Sequence, residues 1–437
     1  VFSVTKLDSA PEGAEVQDIS IASAQPGGSD TGSTGGLPVG AMLAAVIGTA
    51  AAGMLLYRKF ILPKDDLGNS EKTSFGPAAL LLLAAFCVRC ALSVIFYGHS
   101  TDINCFMAWA YYLAEGGPGL FYTSGFFADY PPGYMYVLWL VGSIAKLLNI
   151  SYGSTAHALL IKMPAILADL AAAYVVYRLA SKRYSFNVSL ALMAFVAFNP
   201  AMAFISGGWG QVDQILTLLL LLTVYLFEED RLELAGLIYG IAIITKPQAL
   251  MAGPLLAAAY FAKVYSGGGK YALRTLISVI AAVAAIFALS LPFKGSQEPM
   301  WFMEKLMGTA TSYPYASIEA FNLMALLGGN WASVSGEMLG LTYGAWGTIF
   351  IVLSCGGSIW LYIKSKKDRG SLALCLALMF SAIFAFGQYM HERYVFPVLM
   401  LIIIAFLHYG DRRLIVSYVM FTCGLLLNAL AAFVITD

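Results

Sequence analysis

Runs of apolar residues, each close to the length of a membrane-spanning helix, recur along the whole chain. A helix needs about 20 predominantly apolar residues to cross the hydrocarbon core of a bilayer. Twelve runs approach that length, so the pattern predicts an all-α polytopic membrane protein. The predicted spans are 38–57, 75–97, 156–180, 187–206, 212–228, 233–246, 248–264, 273–292, 341–363, 371–388, 394–409 and 413–435.

Composition supports this interpretation. The 437 residues are 59% hydrophobic and only 11% charged, and the mean hydropathy is +0.76. A soluble globular protein carries roughly a quarter charged residues. Lysine and arginine together number 25, as do aspartate and glutamate, so the net charge is zero. The balance gives no sign of a nucleic-acid partner.

One further apolar run, residues 133–148, decides the orientation of everything that follows it. If it does not cross, seventeen of the 25 lysine and arginine residues lie on one side and seven on the other, with Arg89 inside a span. If it crosses, the lysine and arginine residues after residue 150 change sides. The positive-inside rule favours the first arrangement, so residues 133–148 are predicted to lie along the outer face. The outer basic residues are then Lys6, Lys146, Lys162, Lys246, Lys294, Lys305 and Arg393.

This topology places both termini outside and predicts three regions. Residues 1–36 form an extracytoplasmic tail, whose end from Gln25 to Gly36 has the composition of a flexible linker. Residues 37–74 supply a first helix and a cytoplasmic loop, and residues 75–437 form the main membrane domain. Two outer segments are long, 98–155 and 293–340, and they are expected to roof an active site. The first should contain amphipathic helices.

The tail raises two further expectations about the start of the chain. Residues 1–36 contain no signal-peptide apolar segment, and the first residue is not methionine. The chain is therefore expected to begin part-way through a longer product. The tail and first span also fit a surface anchor or sensor, but that function needs only one span.

Polar and ionisable residues gather at the outer boundary. The first outer loop holds His99, Asp102, Asp129 and Tyr130, and ionisable groups at a membrane mark function by default. Other short polar segments meet the same face. They are Lys162-Met-Pro164, Gly207-Gly-Trp-Gly-Gln-Val-Asp213, Thr245-Lys-Pro-Gln248 and His391-Glu-Arg-Tyr394. Acids that activate a nucleophile, cations that hold an anion, and aromatic rings that stack on a sugar (Trp109, Trp209, Tyr122, Tyr130) are all present.

Each residue alone has a simpler interpretation. Tryptophan and tyrosine often anchor a protein at the membrane interface. Lys246 is of the type that extends to lipid headgroups, and Asp102 could cap a helix that begins at Ile103. Pro131-Pro132 could only set a helix angle. Anchoring alone does not explain five polar segments on one face.

The ordered set of these segments resembles a known family. Gly98-His-x-x-Asp102, Phe106-x-x-Trp109, Phe121-Tyr122, Asp129-Tyr-Pro-Pro-Gly-Tyr134, Lys162-x-Pro164, Asn199-Pro200, Trp209-Gly-Gln-x-Asp213, Thr245-Lys-Pro-Gln248 and His391-x-Arg-Tyr394 carry the resemblance. They are similar to bacterial membrane mannosyltransferases related to the eukaryotic GPI mannosyltransferase II, within the GT-C superfamily. The resemblance covers about residues 75–435 and leaves the span at 38–57 without a counterpart.

The resemblance implies a GT-C-like bundle of about twelve transmembrane helices in the bacterial cytoplasmic membrane. It also implies a polyprenyl-phosphate sugar as donor, mannose as the sugar, and a catalytic acid at Asp102. The acceptor is expected to be a hydroxyl of a glycolipid, a glycan or a protein, and membrane lipid is the other partner.

The residue types suggest a role for each candidate. Asp102 is the predicted general base of an inverting transfer on the outer face. Lys246 and Arg393, followed by His391 and Lys162, are predicted to bind the lipid phosphate. Substrate contacts are predicted for His99, Asp129, Tyr130, Trp209, Gln211, Asp213 and Gln248. No cofactor is expected. A divalent metal is an alternative that the reaction does not require, since no ligand spacing for one is recognised.

A transporter or lipid flippase is the main alternative function. Its polar groups should lie near the bilayer midplane, on broken helices in repeated halves. In this chain they gather at one face, and no internal repeat is evident. Arg89 is the main charge within a span, and we expect it to pair inside the bundle.

Overall fold

The computed structural model describes residues 39–56, 75–125, 127–365 and 367–436. The predicted tail of residues 1–36 and the loop of residues 57–74 lie outside the described residues. The remainder is mainly helical. The longer helices are α1 (Val39–Leu56), α2 (Phe75–Ile95), α6 (Thr155–Ala180), α7 (Phe186–Ala197), α9 (Asp213–Glu228), α10 (Leu232–Thr245), α11 (Gly253–Gly267), α12 (Gly269–Ser290), α14 (Tyr343–Lys364), α15 (Ser371–Phe386), α16 (Phe396–Tyr409) and α17 (Arg412–Thr436).

The predicted apolar runs all fall on helices, but their number as membrane spans differs. Within the described residues, six helices are long and apolar enough to cross a membrane, or seven if one bent pair is a single span. A polytopic helical protein is therefore supported, whereas twelve spans are not confirmed. Length is the reason, because four further apolar helices have only 10–17 residues. A 16-residue helix such as α15 extends about 24 Å, less than the ~30 Å hydrocarbon core.

The predicted span at 187–206 is broken. Helix α7 ends at Ala197, and the chain bends by 43° before continuing from Pro200 to Trp209. The continuation consists of a short helix, α8 (Pro200–Ala203), and a π-helix, Phe204–Trp209. Proline lacks the N–H that would continue α7, and the Asn199 side chain accepts the backbone N–H of Met202 at 3.1 Å. The break therefore follows directly from Asn199-Pro200.

The first outer loop folds into three helices. They are α3 (Ser100–Gly116), α4 (Pro118–Phe121) and α5 (Pro132–Leu147). Helix α5 packs on α3 so closely that a Cβ on Gly142 would lie 2.0 Å from the carbonyl oxygen of Ala110. Helix α5 has 16 residues and, like the predicted span α9, is too short to be among the helices suited to crossing a membrane. Its orientation to the bilayer stays a prediction.

The second outer segment pairs with the loop that carries His391 and Arg393. It contains α13 (Trp301–Thr311) and the short strands β1 (Ser317–Ile318), β2 (Glu337–Met338) and β3 (Leu341–Thr342). Strand β1 pairs in parallel with β4 (Met390–His391), and β2 pairs antiparallel with β3. The second outer segment is thereby fixed to residues 390–391 by backbone hydrogen bonds.

Two hydrophobic clusters divide the helices. The larger lies inside the bundle and includes Trp209, and the smaller is centred on the helices of residues 100–147 and includes Val212. The turn from Trp209 to Asp213 therefore crosses the boundary between them. This boundary is where the predicted site residues meet.

A buried ion pair joins the first helices of the bundle. The Arg89 Nε lies 2.8 Å from Asp169 Oδ2, and both side chains are fully buried. The guanidinium also donates to the carbonyl of Ala197 at 2.6 Å, and Ser206 donates to the same carboxylate oxygen at 2.6 Å. The expected pairing of Arg89 inside the bundle is confirmed.

Helices α10 and α12 approach each other at two glycines four residues apart. A Cβ on Gly236 would lie 2.2 Å from the Ser278 carbonyl oxygen, and one on Gly240 would lie 2.4 Å from that of Ala282. Small residues at this spacing let helix backbones come into contact in membranes. The pair holds α10 in place, and Lys246 directly follows α10.

We predict that Gly240→Ala lowers the thermal unfolding temperature of the detergent-solubilised protein. The added methyl group forces α10 away from α12, and such overpacking costs about 1–3 kcal/mol. Gly356→Ala is the matched control, because a Cβ there meets nothing within 4 Å. Equal melting temperatures for the two variants would contradict a tight α10–α12 contact.

Candidate active site

The broken helix positions the centre of the site. Its π-helix places Trp209 beside the first outer loop, and Gly210 follows with a φ of 93°, a left-handed conformation that favours glycine. Asp213 then begins α9. The Lys162 Nζ holds this turn by donating to the carbonyls of Phe96, Gly207 and Gly208 at 2.7, 3.0 and 3.0 Å.

Asp102 lies in the first turn of α3 rather than at its cap. Helix α3 begins at Ser100, and its N-cap residue is His99, so the alternative that Asp102 caps a helix starting at Ile103 is wrong. The Trp209 Nε1 donates to Asp102 Oδ2 at 2.7 Å. The Asp102 side chain retains 24% exposure, so the carboxylate is held on one side and accessible on another.

The Trp209 indole is surrounded by charged and aromatic groups. The His99 ring stacks on it with centroids 4.8 Å apart and planes 10° apart, and the Arg393 guanidinium carbon lies 5.5 Å from its centroid. The His99 Nδ1 is 3.5 Å from Asp102 Oδ2. Trp209 is 2% exposed, so it orients Asp102 and is neither a membrane-interface anchor nor an open platform for a sugar.

Two cations meet at one carboxylate. Asp213 is fully buried, and its Oδ1 lies 2.7 Å from Lys246 Nζ while its Oδ2 lies 3.2 Å from Arg393 Nε. Arg393 also contacts the neighbouring Glu392 carboxylate. The structure therefore places Lys246 and Arg393 side by side, as a phosphate site needs, with Asp213 between them.

Aromatic and amide groups complete the surroundings of Lys246. Its Nζ lies 5.9 Å from the ring centroid of Tyr130 and 5.6 Å from that of Tyr394. The Tyr130 hydroxyl donates to Gln211 Oε1 at 3.3 Å. Gln248 donates to the Tyr394 carbonyl at 3.0 Å, while its buried Oε1 has no partner among the described residues.

Asp129 belongs to a second group within the same site. The Tyr313 hydroxyl donates to its Oδ2 at 3.2 Å, and Lys305 donates to the adjacent carbonyl of Ala128. Two predicted sugar-stacking residues hold this loop instead. Trp109 donates to the Phe127 carbonyl at 2.9 Å and Tyr122 to the Tyr130 carbonyl at 2.7 Å.

His391 joins the two groups. Its ring meets that of Tyr313 edge-on, with centroids 5.4 Å apart, and lies 4.9 Å from that of Tyr394. Burial lowers the pKa of His391 well below its ordinary value, and the nearby charges of Arg393 and Lys246 lower it further. The imidazole is therefore neutral, so His391 adds no positive charge for a phosphate.

The contacts above link the predicted site residues into one cluster, with the exception of Lys162. Lys162 is fully buried, and its ammonium group already donates to three carbonyls. An ammonium group has three donors. In this conformation Lys162 therefore supports the turn below the site rather than offering a donor to a phosphate.

The two carboxylates of the first outer loop have opposite electrostatic environments. Burial tends to raise the pKa of Asp102, but Arg393, His99 and the Trp209 hydrogen bond outweigh it and lower that pKa to about 2. Burial raises the pKa of Asp129, and the charge of Asp102 adds to the rise, against the Tyr313 hydrogen bond and Lys305. Asp102 is thus a permanent carboxylate, whereas Asp129 is the more readily protonated of the pair.

Several residues at the site were not predicted individually. Tyr313 and Lys305 come from the second outer segment, and Glu392 lies between two predicted residues. Gln214 is fully buried, and neither of its amide atoms has a partner among the described residues. Buried unpartnered amides call for water or a ligand. A second polar residue after Asp213 at the start of an apolar helix was the available signal for Gln214.

Within the described part of the chain, no three His, Cys, Asp or Glu side chains are grouped so as to hold a metal ion. The basic side chains at the site are Lys246, Arg393 and Lys305.

The sequence of the chain also matches a known protein family, which adds to the acids, paired cations and apolar helices described above. The sequence model of glycosyltransferase family 87 matches residues 126–385, more than half of the chain. The chain belongs to glycosyltransferase family 87. The predicted membrane glycosyltransferase is thereby supported, while the match does not show a relationship to GPI mannosyltransferase II. No curated protein matches the chain.

The matched region contains only part of the site. It includes Asp129, Tyr130, Asp213 and Lys246, together with the broken helix. His99, Asp102, His391 and Arg393 lie outside it. The structure therefore brings residues from both sides of the matched region to the family's own part of the fold.

We predict that Asp213→Ala strongly destabilises the protein, because it leaves two buried cations without their shared carboxylate. Breaking a buried ion pair in this way costs about 3–5 kcal/mol, measured as a fall in the thermal unfolding temperature in detergent. Asp230→Ala is the control, since Asp230 also contacts two cations, Lys263 at 2.7 Å and Arg274 at 2.6 Å, but its side chain is 42% exposed. That exposed site should lose at most ~1 kcal/mol per pair. A smaller loss in Asp213→Ala than in the control would contradict the buried clamp.

Proposed function

We propose that the protein transfers a sugar from a polyprenyl-phosphate donor to an acceptor hydroxyl on the extracytoplasmic side of the bacterial cytoplasmic membrane. The observation that carries the proposal is the position of Lys246 and Arg393 on Asp213, beside the partly exposed carboxylate of Asp102. Membership of a glycosyltransferase family supports the reaction class. The apolar helices support a lipid-linked donor.

The paired cations suit the leaving group. A polyprenyl phosphate leaves as an anion, so it needs positive charge where the negative charge develops and no proton. Arg393 offers a planar pair of donors and Lys246 a point charge. Because Asp213 already balances one of these charges, one unit of positive charge remains on this pair before Asp102 and Glu392 are counted. Burial raises the pKa of Glu392, against the nearby charge of Arg393, which favours its protonated form and leaves Arg393 for the phosphate.

Asp102 is the proposed general base. The acceptor oxygen forms a bond to the anomeric carbon while the bond from that carbon to the phosphate oxygen breaks, and the acceptor proton passes to Asp102. A single displacement of this kind inverts the anomeric configuration. Trp209 holds one carboxylate oxygen, and the partial exposure of the Asp102 side chain gives the acceptor access to the carboxylate.

A carboxylate with a pKa of about 2 is a weak base. Donor binding makes Asp102 a stronger base, because the phosphate adds negative charge beside Arg393. Arg393 is the largest influence that lowers the pKa of Asp102 against its burial. The pKa of Asp102 therefore rises when the donor is present. Asp102 is thus a stronger base when the sugar donor is bound than when the donor is absent.

The remaining residues are proposed to fit the sugar and the acceptor. Asp129, Tyr130, Gln211 and Gln248 supply hydroxyl partners. Gln248 Oε1 is the most direct of these, being buried and unpartnered among the described residues. Asp213 is better explained as the residue that positions the cations than as a sugar ligand. Mannose, a glycolipid, glycan or protein acceptor, and independence from divalent metal are further parts of this proposal.

We predict that Asp102→Asn lowers the transfer rate of the purified full chain by about 10²–10⁴-fold, the usual contribution of a general base. The assay supplies radiolabelled polyprenyl-phosphate sugars and a membrane lipid extract, with and without EDTA. Asparagine retains an oxygen for the Trp209 indole, so the fold should persist. Glu115→Gln, which alters an exposed acid of the same helix, paired with Lys146 at 3.0 Å, should keep full activity. An Asp102→Asn variant that keeps the unaltered transfer rate would contradict the assignment of Asp102 as general base. Loss of activity with EDTA would contradict metal independence.

The pH dependence of kcat/KM distinguishes Asp102 from Asp129. If Asp102 is the base, activity of the free enzyme is lost only as pH falls toward its pKa of about 2. Arg393→Gln removes the main charge that lowers this pKa, so the acid limb should move to higher pH. Lys305→Gln removes a charge that lowers the pKa of Asp129. If Lys305→Gln moves the acid limb and Arg393→Gln does not, Asp129 is the base.

A further inference from the structure

A cavity lies at the other end of the helices that build the site. Helix α9 begins with Asp213 at the candidate site and ends at Glu228, and Tyr225, Glu228 and Glu229 line a cavity of about 350 Å³ there. The carboxyl ends of α6 and α16 complete it. The positive-inside count predicts that this end is cytoplasmic.

The walls of this cavity are apolar and its rim is basic. Leucine and isoleucine side chains form the walls, namely Leu218, Leu221, Leu222, Ile404 and Leu407. The rim carries Arg178, Lys182, Arg183 and Arg369, with Glu228 and Glu229 as the only acids among the lining residues.

The acids of the rim are already engaged. Glu229 Oε1 lies 2.9 Å from Arg369 Nη1. Glu228 lies 3.4 Å from His408 Nε2 and accepts the backbone N–H of Gly370 at 2.8 Å. Within the described ranges, Arg178, Lys182 and Arg183 therefore have no carboxylate partner. Three uncompensated positive charges surround one apolar opening.

A buried polar atom of one lining residue also lacks a partner. The Nδ1 of His408 is buried and has no hydrogen-bond partner among the described residues. Its Nε2 faces Glu228. The lining thus offers a hydrogen-bonding group as well as charge.

We propose that this cavity binds an anionic phospholipid, with the phosphate at Arg178 and Lys182 and the upper acyl chains against the leucines. Basic pockets between membrane helices bind anionic headgroups on the cytoplasmic side. Charge complementarity selects an anion, and the apolar walls select a lipid over a soluble phosphate. Arg183 donates to the carbonyls of Leu407 and His408 at 3.1 and 2.9 Å, so it fixes the end of α16 at the same opening.

The test compares lipids on the detergent-solubilised full chain. Phosphatidylglycerol, phosphatidylcholine and glycerol 3-phosphate are titrated, with the thermal unfolding temperature and retained lipid by native mass spectrometry as readouts. Phosphatidylglycerol alone should raise the unfolding temperature and remain bound. In the double variant Arg178→Gln/Lys182→Gln its affinity should fall about 25-fold, since each basic residue contributes about fivefold.

Lys270→Gln is the matched control. Lys270 is exposed and lies outside the cavity. It lies at the same end of the bundle, because Arg274 of α12 contacts Asp230 just after α9. This variant should bind phosphatidylglycerol as the unaltered protein does. If the double variant does not fold, Lys182→Gln alone should weaken binding about fivefold. Equal responses to phosphatidylcholine, full affinity in the variant, or an equal response to glycerol 3-phosphate would each overturn the lipid site.

Discussion

The site depends on how backbone carbonyls are satisfied where a helix breaks inside an apolar bundle. Away from water, each unpaired carbonyl is costly, and the π-helix after Asn199-Pro200 releases several. The Lys162 Nζ donates to the carbonyls of Phe96, Gly207 and Gly208. The Ser93 hydroxyl is a second donor to the Gly207 carbonyl, at 2.9 Å. Trp209 is fixed as a result, and through it Asp102 on one side and Asp213 on the other.

The charges of the site are arranged around one arginine. Arg393 contacts Asp213 and Glu392, lies over Trp209, and is the main cause of the lowered pKa of Asp102. An anion that binds Arg393 therefore changes the acid–base behaviour of a carboxylate that it does not touch. Binding energy from the donor is in this way connected to the proton transfer of the acceptor.

The apolar runs predicted the positions of the helices, and the polar segments at their ends predicted the members of the site. The broken helix at Asn199-Pro200 was not predicted, because an apolar run looks continuous wherever side chains are hydrophobic, and only the prolines and glycines mark the break. The position of Asp213 between two cations depends on contacts between residues 33 and 180 positions apart along the chain, 213–246 and 213–393. Lys162 supports the turn by donating to three carbonyls. The sequence does not show which backbone carbonyls a broken helix leaves without a partner.

The ion pair between Arg89 and Asp169 has a consequence for biosynthesis. The two residues are 80 positions apart, so α2 emerges from the ribosome well before its counter-charge exists. At 5–20 residues per second, roughly 4–16 s pass before Asp169 is made. During that interval the arginine opposes the transfer of α2 into lipid by at most about 2.5–3.5 kcal/mol, the cost at the centre of a helix. Strong hydropathy elsewhere in α2 favours transfer, and the helix reaches its final place only when α6 arrives.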